Sequence, residues 1–294
     1  MNTAFHTRTI LTNGVHLHVV EAGPEDGPLV LLLHGFPEFW YGWHRQIAPL
    51  AAAGFRVVVP DQRGYGLSDK PKRIRAYNLD DLALDIVGLI EALGREKANV
   101  AAHDWGGAVG WWLAMKHAER LDRLALLNIP HPLVLKRALW RSAKQRKKSS
   151  YMFWFQLPWL PEYALRRNDY HLIVHTLRRT SLPGTFSDED LALYREAWER
   201  PGALTSMLHW YRAALRARPG KPASPRNPVP TLMIWGTKDI VLGRDLVPPS
   251  LDLCDQGRAV YLEEATHWLL HEQPEAVSRL LIEHFKASAD PGAQ

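Results

Sequence analysis

The stretch Ala102-His103-Asp104-Trp105-Gly106-Gly107 carries the clearest chemical signal in the chain. An apolar run precedes it and an apolar, helix-patterned stretch follows. A strand that turns sharply into a helix needs small residues two before and two after the turning position. Ala102 and Gly106 meet that need. Such a turn projects its central side chain at the carboxyl end of a sheet, beside a helix N-terminus. This is a nucleophile elbow, G-x-S-x-G in its usual form. Here the nucleophile position holds an aspartate. Gly66-Leu67-Ser68-Asp69-Lys70 has lysine where the last glycine belongs, and no Gly-x-Ser-x-Gly occurs elsewhere. Taken alone, the pattern also fits an aspartate that ends a strand and caps the next helix.

Its neighbours narrow the reading. His34-Gly35-Phe36-Pro37 follows a buried apolar run, where an α/β-hydrolase places its oxyanion-hole loop. The backbone N–H groups of Phe36 and Trp105 are expected to converge on one oxygen. Asp239 follows the apolar run 231–235, within Gly236-Thr237-Lys238-Asp239. His267 follows the run 258–262, within Ala265-Thr266-His267-Trp268. A lone histidine beside a tryptophan also reads as a satisfied structural histidine. The order nucleophile, acid, base at successive strand ends is that of an α/β-hydrolase triad, Asp104–Asp239–His267.

An aspartate nucleophile changes the reaction. A carboxylate displaces a leaving group from saturated carbon and forms an alkyl ester. Water activated by histidine then attacks the ester carbonyl of Asp104 itself. Substrates must carry an electrophilic sp³ carbon, as in an epoxide or an alkyl halide. An epoxide oxygen leaves as an alkoxide and needs a proton donor; a halide needs only N–H donors. Tyr151 and Tyr211 are candidate acids, because a phenol of ordinary pKa near ~10 is protonated at neutral pH. Each alone also reads as a packed aromatic.

At this point the sequence resembles an α/β-hydrolase-fold epoxide hydrolase over about residues 9–285. The resemblance rests on His34-Gly35-Phe36-Pro37-Glu38, the loop 61–68, and His103-Asp104-Trp105-Gly106. It rests also on 151–162 with Phe155-Gln156-Leu157-Pro158, on Trp210-Tyr211-Arg212, on Asp239, and on His267-Trp268. It implies Asp104 as nucleophile, His267 as base, Asp239 as its orienting acid, and Tyr151 and Tyr211 as paired acids over the epoxide oxygen. It implies no cofactor and no metal. Phe36, Trp105, Tyr151 and Tyr211 would contact an apolar epoxide, with detoxification or catabolism as the default role. Ala102 replaces the usual glycine, and His209 replaces the asparagine often found two before the second tyrosine. A haloalkane dehalogenase would use the same aspartate, with Trp105 as one halide donor; Phe36 stands where many such relatives carry asparagine. Fluoroacetate-type dehalogenases place arginines where Trp105 and Ala108 stand here. A non-catalytic receptor on this scaffold is the remaining alternative.

The elements that must position these residues follow from periodicity. Asn13-Gly14 turns a hairpin over 9–21. Runs at 29–33, 55–59, 98–102 and 121–128 read as strands, with helices at 77–93 (Asn78 its cap) and 106–117. The segment from about 132 to 218 is aromatic, basic and helical, with helices at 188–200 and 203–218. Pro219, Pro222, Pro225, Pro228 and Pro230 close it as a linker. Strands at 231–235 and 258–262 and a helix at 274–286 complete the chain. The expected architecture is α/β, a mostly parallel sheet with helices on both faces and an inserted helical cap. Its pieces are core 1–131, cap 132–229 and core 230–294.

Composition sets the outer bounds. The chain has 294 residues, 46% apolar and 23% charged, which excludes a wholly disordered chain. Cys254 is the single cysteine, so no intrachain disulfide or thiolate cluster forms. No stretch reaches ~18 apolar residues, so no integral membrane segment is expected. The start, Met1 to His6, shows no signal peptide, which makes the cytoplasm the default address. Net charge is +5, and seven basic residues with no acidic one lie between Lys136 and Lys148. Without those seven, 29 basic residues face 31 acidic ones. So local an excess argues against a nucleic-acid protein. It reads as a solvated face of the insertion, with an anionic ligand, membrane surface or partner as the alternative. A small molecule is the expected partner, bound to a monomer or homodimer.

Overall fold

A computed structural model describes residues 5–287. Met1 to Ala4, read above for a leader, lie outside them. Eight strands form one sheet: β1 (His6–Thr12), β2 (Val15–Ala22), β3 (Leu29–Leu33), β4 (Arg56–Pro60), β5 (Ala98–His103), β6 (Leu121–Leu127), β7 (Thr231–Gly236) and β8 (Gly257–Leu262). Their spatial order is β1-β2-β4-β3-β5-β6-β7-β8. β1 and β2 run antiparallel to their neighbours, and the remaining pairs are parallel. The expected α/β fold is therefore present.

The central strands are buried on both faces, which is why they read as unbroken apolar runs. Every residue of β3 is buried, and each such side chain contributes roughly 1.5–3 kcal/mol relative to exposure. Helices α1 (His44–Ala52), α2 (Leu79–Ala92) and α3 (Asp104–Lys116) connect β3 to β6. Asn78 caps α2 as expected, its side chain accepting from the Asp80 and Asp81 N–H groups. α2 and α3 pack one face of the sheet; α1 packs the other with the C-terminal helix described below. The α1 segment has no counterpart in the sequence reading. It contains Pro49 and begins directly after a 3-10 turn at Trp40–Trp43, which masks its period.

Between β6 and β7 the chain forms α4 (Pro132–Arg141), α5 (Ala143–Lys148), α6 (Tyr151–Trp154), α7 (Leu160–Thr180), α8 (Asp188–Glu199) and α9 (Ala203–Arg216). α7 is interrupted: Arg167 is extended, and Asn168, Asp169 and Tyr170 are left-handed at φ 50°, 54° and 59°. The break redirects the second half of α7, with Tyr170 buried against Trp198 at 5.7 Å between ring centroids. Short α10 (Val247–Leu251) and α11 (Leu269–Glu272) and then α12 (Pro274–Lys286) follow β7 and β8. Among the described residues no helix is long and apolar enough to cross a membrane.

The crossovers diverge around β3. The chain passes from β3 to β4 on one side, then to β5 on the other. In an open parallel sheet this switch opens a crevice at the carboxyl ends of the two diverging strands. His34-Gly35-Phe36 leaves β3 there, and Asp104 leaves β5. Gly106 lets α3 cross β3 closely: a Cβ on it would sit 2.4 Å from the Leu33 carbonyl oxygen and 2.6 Å from that of His34. Both atoms are backbone and cannot rotate away. Gly106→Ala is therefore expected to destabilise the fold by about 1–3 kcal/mol, read as a lower urea midpoint with unchanged slope. A wild-type midpoint would show that β3 and α3 separate without cost.

Candidate active site

Asp104 occupies the turn from β5 into α3 with φ 48°, a left-handed conformation uncommon outside glycine. The left-handed turn lifts its carboxylate out of the strand end. The loop after β3 closes over it. A Cβ on Gly35 would lie 2.4 Å from the Asp104 Cβ, so only glycine allows this approach. The Phe36 N–H donates to Asp104 Oδ1 at 2.9 Å. Trp105, whose N–H belongs to the first turn of α3, makes no corresponding bond to the carboxylate. Burial alone would raise the Asp104 pKa; His267, then His103 and the Phe36 N–H, outweigh it and hold the group below its ordinary value.

His267 lies on the loop after β8, with Nε2 3.6 Å from Asp104 Oδ2. Its Nδ1–H donates to Asp239 Oδ2 at 2.7 Å. Asp239 is fixed in turn. Oδ2 accepts from Asn128 Nδ2 at 2.6 Å, and Oδ1 accepts from the N–H groups of Val241 and Leu242 at 2.6 and 2.9 Å. Burial lowers the His267 pKa, but the Asp239 charge and Asp104 overcome it and push it up to about 10. The imidazole between two carboxylates is thus held as imidazolium at neutral pH. Asn128, at the end of β6, is absent from the sequence reading. Its partner lies 111 residues away, and no motif marks it.

Tyr151 and Tyr211 come from α6 and α9, and their rings meet edge to face at 5.9 Å between centroids. Burial and the Asp104 charge raise the Tyr151 pKa; burial, Tyr151 and Asp104 raise that of Tyr211. Both phenols stay neutral. The two segments are clamped together by residues from the motifs noted above. Gln156 Nε2 donates to the Tyr211 carbonyl at 2.9 Å. Arg212 donates to the carbonyls of Phe155 and Leu157 at 3.0 and 2.7 Å and pairs with Glu162 at 2.6 Å. Trp210 Nε1 donates to the Arg63 carbonyl at 3.0 Å and ties α9 to the loop after β4. His209 packs edge-on against Tyr77 at 5.4 Å, and burial, then Arg212, lower its pKa to about 4, so it is neutral there.

Asp104, His267, Phe36, Tyr151 and Tyr211 line one cavity of about 410 Å³. Asp239 sits behind His267, and Trp105 faces Tyr211 with ring centroids 4.9 Å apart. The remaining wall is mostly apolar, from Trp154, Phe155, Ile240, Val241 and the second half of α7. Lys148 also lines it. Behind the triad lies a buried polar cluster that the sequence reading missed. Glu38 accepts from Tyr194 Oη and His271 Nε2, both at 2.7 Å, and its other oxygen is 3.4 Å from His103 Nδ1. His103 Nε2 donates to the His267 carbonyl at 2.8 Å. Only the motif position of Glu38, after Pro37, hints at this from sequence.

Comparison with known proteins shows the family. Residues 28–274 match the model of the α/β-hydrolase fold family. The chain is 50% identical over 275 residues to the AB hydrolase superfamily protein YfhM of Bacillus subtilis, covering 94% of this chain and 96% of that one. It is 38% identical to epoxide hydrolase 1 of Caenorhabditis elegans, covering 95% of this chain and 69% of that protein. The crystal structure of Bacillus megaterium epoxide hydrolase in complex with an inhibitor superposes with a TM-score of 0.84 at 31% identity, over 95% of this chain and all of the other. With an aspartate at the elbow and a sheet of this order, the chain belongs to the α/β-hydrolase-fold family, among its epoxide hydrolases.

Proposed function

We propose that the protein adds water to an apolar epoxide and gives a vicinal diol through a covalent ester on Asp104. The observation that carries this reading is the shared cavity: an ionised elbow carboxylate, an imidazole beside it and two neutral phenols. In this reading residues 5–131 and 230–287, the described part of the expected core pieces 1–131 and 230–294, form the core, and 132–229 the cap that supplies the phenols.

Oδ1 of Asp104 is held by the Phe36 N–H, so Oδ2 is the oxygen free to attack. It bonds to an epoxide carbon while that carbon's bond to the ring oxygen breaks. Tyr151 and Tyr211 donate to the departing oxygen, which takes a proton and becomes a hydroxyl. With the Asp104 charge removed, the His267 imidazolium gives its proton back to the phenolate left by ring opening, and water then loses a proton to the neutral ring and attacks Cγ of Asp104. Negative charge develops on Oδ1, against the Phe36 N–H already bonded to it and the Trp105 N–H, which must close on it in this step. Collapse releases the diol, with the His267 proton passing to the leaving oxygen, and the carboxylic acid left at Asp104 then gives its proton to His267, which restores the resting ion pair. Asp239 stabilises the imidazolium and fixes the ring. A halide would call for N–H donors, whereas the phenols beside Asp104 suit a developing alkoxide. This is what favours an epoxide over a haloalkane.

His267→Gln is expected to form the ester and retain it. Intact mass spectrometry after exposure to aryl and alkyl epoxides should show a gain equal to the whole epoxide, mapped to Asp104. An adduct equal to an alkyl group without its halide, from a haloalkane in the same panel, would move the protein to the dehalogenases.

Tyr151→Phe and Tyr211→Phe are each expected to slow ring opening tenfold or more. The double variant should lose about 10²–10⁴-fold, the usual reach of general acid catalysis. Rapid-quench single turnovers measure this directly. Unchanged alkylation in all three variants would remove the acid assignment.

The two steps should respond differently to pH. His267 is raised to about 10 partly by the Asp104 charge, and alkylation removes that charge. The imidazole pKa in the ester must then fall, and only the deprotonated ring acts as base. Ester hydrolysis should rise with pH and level off through a midpoint well below 10. Alkylation, which needs ionised Asp104 and neutral phenols, should stay flat across neutral pH. A hydrolysis midpoint still at about 10 in single-turnover decay would show that Asp104 does not set the base.

A further inference from the structure

Lys148 is the one basic side chain among the described residues that line the cavity, apart from His267 itself. It is partly buried. No carboxylate of the described residues pairs with it: the ion pairs of this region lie elsewhere, and α4 and α5 carry no acidic residue. Its position is fixed rather than incidental. Gln145, buried and three residues before it on α5, donates to the Val241 carbonyl at 3.0 Å and to Ser149 Oγ at 3.0 Å. Val241 and Ile240 line the same cavity and follow Asp239 directly. α5 is therefore anchored to the loop that carries the triad acid, with Lys148 brought to the cavity wall.

The cavity is thus charged unequally. Asp104 is a fixed anion where the chemistry occurs, and it repels a second anion placed beside it. Lys148 is a cation without a counter-charge, on a wall that is otherwise mostly apolar. Its stem can lie along that surface while the ammonium meets a ligand or water. We propose that Lys148 receives an anionic group of the substrate, so that the preferred epoxides carry a carboxylate remote from the ring. Repulsion at Asp104 and attraction at Lys148 then act together. They turn such a molecule so that the epoxide, not the carboxylate, reaches the nucleophile. This gives the last residue of the basic stretch between Lys136 and Lys148 a role beyond a solvated face, since Lys148 reaches the cavity wall.

The inference rests on the epoxide reading, and the experiment separates the two. The first arm compares kcat/KM for an ω-epoxy carboxylate and its primary amide at low ionic strength, where such pairing is least screened. Wild type should favour the carboxylate. Lys148→Met, which keeps the aliphatic stem, should cut the carboxylate-to-amide ratio about tenfold, or about 1.4 kcal/mol, chiefly through KM. Lys147→Met, at an exposed neighbour, should leave the ratio in place. The second arm needs no turnover: tryptophan fluorescence titrations with laurate and dodecanamide, in which Lys148→Met should weaken only laurate, again about tenfold. A ratio and a laurate affinity that ignore Lys148→Met would overturn the inference. So would a Lys147→Met loss equal to that of Lys148→Met, because a diffuse field would then suffice. Loss of laurate binding in Lys148→Met, with neither epoxide hydrolysed by wild type, would leave the anion site standing and sink the epoxide reading instead.

Discussion

A carboxylate withdrawn from water at the bottom of an apolar cavity is the constraint on which the rest of the site depends. Burial pushes Asp104 towards its neutral form, which could not act as a nucleophile. The Phe36 N–H and the His267 imidazolium reverse that tendency. Each support then needs its own. His267 keeps its charge because Asp239 faces its other nitrogen at 2.7 Å. Asp239 in turn is buried and needs Asn128 and two backbone N–H groups. The series ends in backbone, where the loops after β6 and β7 meet: Gly236 N–H donates to Asn128 Oδ1 at 2.7 Å. Breaking such a buried pair by removing one partner typically costs about 3–5 kcal/mol. The hydrogen-bonded series from Asp104 to Asn128 is therefore a folding requirement of the strand ends, whatever chemistry it serves.

The phenols face the opposite problem. They must stay neutral beside an anion, and burial ensures it. What they require is position, since they come from segments some 60 residues apart in the chain, in helices that no strand ladder holds. Polar clamps do that work: Arg212 with Glu162 and two carbonyls, Gln156 with the Tyr211 carbonyl, and Trp210 with the Arg63 carbonyl. Contacts on the far side hold α7 and α8 to the sheet: Trp268 Nε1 with Thr180 Oγ1 at 2.8 Å, Trp198 Nε1 with the Pro37 carbonyl at 2.7 Å, and Tyr194 with Glu38. A partly buried ion pair such as Arg212–Glu162 adds little net stability once desolvation is counted. Its geometric effect is larger: it fixes the residue next to Tyr211 against the segment that begins at Tyr151.

What was legible in the sequence follows from these forces. β3, β4, β5 and β7 stood out because burial on both faces leaves mostly apolar residues, wholly so in β3. The hairpin turned on Asn13-Gly14, and both residues do adopt positive φ. Asp104, His267 and Asp239 stood out because strand ends and small neighbours mark them, and in the structure His267 lies between the two carboxylates. Helix boundaries were less legible: α3 begins at Asp104 itself, two residues before the reading placed it. α1 escaped because Pro49 reads as a breaker. α7 gave no sign of its break, since Asn168, Asp169 and Tyr170 look like ordinary helix surface. Asn128 and Glu38 were not legible for a different reason. Their meaning lies in partners more than a hundred residues away, and a single polar residue carries no period.

The exchange of serine for aspartate at the elbow alters more than the nucleophile. A serine enzyme must stabilise an oxygen that belongs to the substrate and arrives with it. Here, on the proposed route, that oxygen is Asp104 Oδ1, part of the protein and already hydrogen-bonded to the Phe36 N–H in the resting state. On that route the Phe36 N–H keeps its partner when the ester forms, because Oδ1 only changes from carboxylate to carbonyl oxygen. It is then in place to take up charge when water adds to Cγ. The same step lowers the charge around His267, so the group that was held as a cation to steady the nucleophile becomes a base once the nucleophile is spent. On the proposed route, one buried carboxylate thereby sets the order of the reaction. While it is charged, it suppresses the base; once it is esterified, it releases it.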